Sequence, residues 1–287
     1  MLSPLTLLTM NHEIHMRLPL SFSAASLLIL SLAGVAHIYS QHKLRGQVMQ
    51  TEAQETSLPR RVLWVWERAE DLHEVAPAAA GVAVLEETLR LGASTMPIMR
   101  HQPILLPEHV SRIAVVRIET DKSFAVHKRQ GALLQSAVAN IGLISREPGI
   151  AALQIDFDAK KSERAFYRRL LTQLREQMPP KLPLDITALV SWCSTDDWIS
   201  DLPINAAIPM FFRMEPDRRR LLLNAAPEYQ VHEPLCSSSA GISTTEPWPR
   251  NAAGKRVFLF ADHGWAGDAA VLQSLALTHS PTNPGHP

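Results

Sequence analysis

Two carboxylates at a spacing of two are the residues best placed for chemistry in this 287-residue chain. In Leu153-Gln154-Ile155-Asp156-Phe157-Asp158 polar and apolar residues alternate. Side chains alternate across a strand, so Gln154, Asp156 and Asp158 share one face and Leu153, Ile155 and Phe157 the other. Two such carboxylates in a partly desolvated site do not both ionise cheaply. One is held protonated, which suits a general acid beside a charged partner. The competing reading is a helix cap plus one buried, hydrogen-bonded aspartate, but Asp158 lies too early to cap a helix that starts at Ser162.

Other strand ends carry related chemistry. Arg117-Ile118-Glu119 and Arg213-Met214-Glu215 each place an arginine and a carboxylate on one face. An arginine there clamps a carboxylate or sugar hydroxyls, or the pair is a structural ion pair closing the end of a sheet. Trp64, Trp66, Trp192 and Trp265 sit at strand ends or in the loops after them. Tryptophan faces stack on the apolar face of a sugar ring. Of Trp64 and Trp66, one is expected to fill the layer between strands and helices, while Trp192 and Trp265 are read as loop residues open to a ligand. Asp262-His263 offers an acid, a base or a donor, against the plainer reading of a solvated loop histidine. His73, His101, His109 and His127 lack metal-ligand spacing, and no cofactor is implied. Cys193 and Cys236 are compatible with one disulfide or with two small buried thiols.

The elements that must hold these residues alternate. Strands are predicted over 61–66, 81–85, 112–118, 150–158, 184–190, 206–212, 235–242 and 255–260. Helices are predicted over 69–80, 128–144, from Ser162 to Met178, 217–225 and 266–277. The helix from Ser162 is the clearest, with Phe166, Leu170, Leu174 and Met178 on one stripe and Pro179-Pro180 ending it. Eight strand units over 59–277 predict an α/β fold, a single (β/α)8 barrel resembling a TIM barrel. An open doubly wound sheet is the alternative. Barrel chemistry collects at the C-terminal ends of strands, where the residues named above fall. No dinucleotide fingerprint, phosphate loop, nucleophile elbow, zincin motif or EF-hand loop occurs.

Composition is ordinary for a globular chain, at 46% hydrophobic and 20% charged. Lys+Arg and Asp+Glu are both 28, so the basic excess of a nucleic-acid binder is missing. After a leader over 1–17, residues 18–38 carry no Asp, Glu, Lys or Arg. The run is long enough to span a bilayer. It also suits a signal peptide, with Arg17 before it and Gly34-Val35-Ala36 as a cleavage region. A buried core helix is the third reading. A polar linker over 41–58 and a Pro- and Thr-rich tail over 278–287 flank the barrel. The expected location is periplasmic or extracellular, with the inner membrane as a partner if 18–38 remains as an anchor.

The strand over 153–158, the helix with Tyr167 and Leu170-Leu171, and Leu184-Asp185-Ile186-Thr187-Ala188-Leu189-Val190-Ser191-Trp192 together resemble a bacterial family catalogued as domain of unknown function 3142. Val65-Trp66 and Val257-Phe258-Leu259-Phe260 fit the same pattern, so the resemblance covers about residues 60–277. It implies a glycosidase-like barrel. More remotely, the strand over 153–158 is similar to the strand of chitinase-like glycoside hydrolases that ends in a catalytic glutamate. That resemblance puts Asp158 at the acid position and Asp156 at the supporting carboxylate. The departures are Asp in place of Glu, Gln154 in place of the first acidic residue, and an apolar strand over 206–212. A shorter acid shifts the proton donor by about one bond length, and ~1 Å of misplacement costs ~100-fold. Glycosidic hydrolysis, sugar binding without turnover and an envelope scaffold are the three readings this leaves.

Overall fold

The computed structural model describes residues 58–124, 130–212, 231–246, 252, 254–268 and 270–273. The segment 18–38, the leader, most of the linker and the tail lie outside the described residues. So do Arg213, Glu215 and the helix expected over 217–225. Among the described residues no helix is long and apolar enough to cross a membrane.

The strands are β1 (Arg61–Val65), β2 (Glu70–Asp71), β3 (Gly81–Leu91), β4 (Thr95–Met99), β5 (Ile104–Leu105), β6 (Arg112–Thr120), β7 (Ile150–Asp156), β8 (Leu184–Leu189), β9 (Ala206–Met210), β10 (Ser239–Ser243) and β11 (Arg256–Phe260). Eight of them pair in parallel in the order β1-β3-β6-β7-β8-β9-β10-β11, and β1 also pairs with β11, so the sheet closes into a barrel. β4 folds back antiparallel on the outer half of β3. The helices are α1 (Gln130–Ile144), α2 (Arg164–Gln177) and the short α3 (Val190–Ser194).

The barrel strands are apolar on both faces because both are covered. Val62, Trp64, Ala83, Leu85, Ile113, Val115, Ile208 and Phe258 pack together inside. Leu153, Ile155, Ile186 and Ala188 face outward against Phe166, Leu170, Leu171 and Leu174 of α2. Trp64 organises the interior: its Nε1 donates to Gln154 Oε1 at 2.7 Å, and its ring lies over Gly241. A Cβ added at Gly241 would stand 2.7 Å from that ring. The hydrogen bond to Gln154 leaves the indole little room to retreat. Gly241→Ala is therefore expected to cost about 1–3 kcal/mol, read as a lowered thermal midpoint. An unchanged midpoint would mean that the ring moves freely.

Two local expectations are corrected. Residues 69–80 form no helix. Pro77 lacks an N–H and keeps the preceding residue out of helical conformation. The segment instead makes the β2–β5 pairing and turns such as Val75 N–H to Leu72 O, with Leu72 and Val75 buried against the outside of the barrel. The cap of α2 is not Ser162. A 3-10 turn over Lys161–Glu163 precedes the helix, and Glu163 accepts from the Lys160 N–H at 2.7 Å and from Thr120 Oγ1 at 2.7 Å. The longer carboxylate side chain reaches both its own turn and the end of β6, which the serine hydroxyl does not.

The cysteines form a disulfide between Cys193 on α3 and Cys236 just before β10, with Cα atoms 5.9 Å apart. The backbone N–H groups of His232 and Glu233 donate to Cys193 O beside it. This staple joins the helix after β8 to the turn before β10, and β9, between them in the sheet, registers with β10 through a single pair, Gly241 with Met210. By contrast, β10 and β11 share five pairs from Ser239–Arg256 to Ser243–Phe260.

Candidate functional site

The site is built from the last residues of the barrel strands. β7 turns Gln154 and Asp156 inward, as period two requires. Asp156 Oδ1 accepts from Thr187 Oγ1 of β8 at 2.7 Å. Its Oδ2 lies 3.7 Å from Arg117 Nη1 of β6. Arg117 Nε is 3.2 Å from Glu119 Oε1, and Glu119 Oε2 is 3.2 Å from Arg90 Nε. One wall of the mouth is therefore a chain of alternating charge, Arg90, Glu119, Arg117 and Asp156, with Asp158 exposed at its rim. The ion pair foreseen for Arg117 and Glu119 is present, and it reaches the Asp156 carboxylate as well.

The two aspartates lie at different depths. Asp156 is 7% exposed. Burial raises its pKa, with the Thr187 bond and Arg117 opposing and Asp158 and Glu119 adding to the rise. Asp158 reaches solvent on one side while its neighbours desolvate the other. That desolvation also raises its pKa, against the pull of Arg117.

A raised carboxyl pKa means that, just above the ordinary aspartate range, the folded protein holds more protons than the unfolded chain. Stability then falls as pH rises through that window. Asp156→Asn should remove its share of the fall, so the stability difference between variant and parent grows from acid pH towards neutrality. Thermal midpoints of both proteins from pH 4 to 7 give the slope. Parallel curves would refute the assignment.

The opposite side of the mouth is aromatic. Trp66, half-buried, meets Phe260 edge-on at 6.1 Å, and Phe212 stacks on Phe260 at 5.4 Å. Trp64 and Trp66 are two positions apart and share the inward face, so neither fills the layer between strands and helices. They pack together at 6.4 Å. Arg100 donates to the Trp66 and Arg68 carbonyls and holds this strand end. A cleft of about 210 Å³ opens here between Trp64, Trp66, Arg68, Glu70 and Phe260.

Two loop residues sit elsewhere than the sequence implied. Trp192 is 2% exposed. It lies on α3, packed against Trp198 at 4.9 Å on the outside of the barrel. Trp265 is 1% exposed, with its Nε1 donating to Trp64 O at 2.9 Å and its backbone N–H to Glu70 Oε2. Neither presents a face to a ligand, because each completes a hydrophobic cluster under a strand end. His263 is exposed on the turn after β11.

The structure adds residues that the sequence reading passed over. Thr187 holds Asp156, and Phe212 and Phe260 complete the aromatic wall. The signal for Phe260 was available: Phe258 and Phe260 repeat the period of Trp64 and Trp66 on what proves to be the adjacent strand. Asp262, already suspected, accepts from Ser243 Oγ at 2.6 Å and from Thr245 Oγ1.

No curated protein matches the chain. Residues 110–204 span β6, β7 and β8, and therefore Arg117, Glu119, Asp156, Asp158 and Thr187. They match the model of a family described as a domain of unknown function (DUF3142).

Proposed function

We propose that this barrel acts on carbohydrate as an exported glycoside hydrolase, with Asp158 as the acid and Asp156 as its supporting carboxylate. The observation that carries the reading is the division of the mouth into a charged wall and an aromatic wall. A sugar ring has an apolar face that stacks on an indole and a polar edge that binds carboxylates and guanidinium groups. Asp158 sits at the rim, where a glycosidic oxygen arrives. Asp156 lies one layer deeper, fixed by Thr187 and facing Arg117. Burial raises the pKa of Asp158 itself, and the Asp158 charge in turn adds to the rise at Asp156.

Export is supported by the disulfide, since such bonds persist in oxidising compartments. It is also supported by the run over 18–38, which either is cleaved or anchors the protein in the inner membrane.

A sugar-binding protein without turnover is the second reading. Arg117 favours it, because its guanidinium stabilises the charged form of Asp158 and so weakens that carboxyl as a proton source.

The test is hydrolysis of cellulose, xylan, chitin, β-1,3-glucan and starch by the full chain, read as new reducing ends. Thermal shift with the same glycans as soluble oligosaccharides runs alongside. Release of reducing ends supports the enzyme. A raised midpoint without release supports the binding protein. Silence in both refutes the carbohydrate assignment.

A further inference from the structure

A hydrolase needs a second group across the scissile bond, from the substrate itself or from the protein, and two aspartates on one strand do not straddle it. We infer that Asp262, at the end of β11, is that group, and that the reaction inverts the anomeric carbon. This rests on the glycoside-hydrolase reading above.

The barrel's register places Asp262. In the order of strands, β7 and β11 stand four apart in either direction, so they form opposite walls. The pairing runs Phe260–Trp64–Ala83–Ile113–Ala152 one way round the barrel. It runs Phe258–Gly241–Met210–Leu189 the other way. Closing the ring on β7 displaces the register by about eight residues, the shear of this fold. Half of that displacement falls on each side. Asp262, two residues beyond Phe260, therefore stands level with Asp158, while Asp156 lies a layer below.

Separation decides the mechanism. Strands about 4.8 Å apart and tilted by about 36° close on a cylinder about 15 Å across. Two aspartates pointing inward from opposite walls each reach in by about 2.5–3 Å, which leaves about 9–10 Å between carboxyls. Retaining enzymes hold their carboxyls about 5 Å apart, and inverting enzymes hold them about 6.5–9.5 Å apart, with room for a water. The barrel's separation lies at the upper end of the second range and far outside the first.

The setting of Asp262 fits a base. Its Oδ2 accepts from the hydroxyls of Ser243 and Thr245, which orients the carboxylate, and Arg68 holds its backbone carbonyl at 2.7 Å. Trp66, its register neighbour on β1, offers the face on which the ring between the two acids would lie.

In the step, Asp158 gives its proton to the glycosidic oxygen as the bond from C1 breaks. A water on the Asp262 side attacks C1 and gives its proton to the Asp262 carboxylate. The products are the leaving alcohol and a hemiacetal of opposite configuration. Exchange with solvent returns the proton from Asp262 to Asp158.

The experiment uses the full chain on whichever polysaccharide it cleaves. Early-time proton NMR should show the first-formed reducing end in the configuration opposite to the bond cleaved. Asp262→Asn keeps an oxygen for both hydroxyls and should fold normally, yet lose at least ~100-fold in rate. Asp262→Ala should recover rate with azide, releasing a glycosyl azide of inverted configuration. A retained configuration, or an Asp262→Asn rate equal to the parent's, overturns the inference while leaving the hydrolase reading intact. A parent that cleaves nothing removes both.

Discussion

Asp158→Asn should reduce the release of reducing ends by about 100- to 10,000-fold, the range typical of a lost general acid. The amide matches the carboxyl in shape but has no acidic proton to deliver. Asp158 is exposed at the rim of the barrel, so the substitution leaves the core intact and the thermal midpoint nearly unchanged. Burial against one side of the mouth already keeps Asp158 protonated to higher pH than an ordinary aspartate, the state in which a donor must arrive. The loss should also depend on the leaving group. Aryl glycosides with acidic phenols need little protonation and should lose far less rate than the polysaccharide does. The alkaline fall of the parent's pH profile should disappear in the variant. A uniform loss across all leaving groups would assign Asp158 to binding.

Breaking the Cys193–Cys236 bond should produce the largest loss of stability. The bridge closes a loop of 43 residues, for which loop closure alone gives about 4 kcal/mol. The midpoint should fall by roughly 8–16 °C in a domain of this size. The placement increases the effect. β9 and β10 share one registered pair, and the disulfide ties the helix after β8 to the turn before β10. The Cys193→Ala/Cys236→Ala double variant and the reduced parent should melt together, both well below the oxidised protein. A shift of less than about 2 °C would show that the barrel closes without the bond. Cavity effects do not imitate this result, because reduction alone deletes no atoms from the core.

Much of the architecture is legible in local pattern. The alternation in 150–158 and the stripe of Phe166, Leu170 and Leu174 specify β7 and α2, because each element must bury one periodic face. The same alternation puts Asp156 and Asp158 on one side. Local pattern misleads where side chains several turns or strands away decide the outcome. Residues 69–80 look helical on their alanines, yet pairing with Ile104–Leu105 and burial of Leu72 and Val75 prevail. Trp192 and Trp265 read as loop residues, but Trp192 packs against Trp198 of the next turn, and Trp265 is drawn under a strand end by the Trp64 carbonyl, 201 residues away.

The sequence by itself determined the period of each strand, hence which side chains share a face, and the succession of strands that makes a barrel the natural closure. Tertiary structure alone decided what stands opposite that face. The charged wall takes shape when β6 and β7 come side by side and join Arg117 to Asp156. The aromatic wall requires β1 beside β11. Only the shear of the closed ring sets Asp262 level with Asp158. A strand's periodicity is a property of its own backbone, whereas register around a barrel depends on every pairing at once.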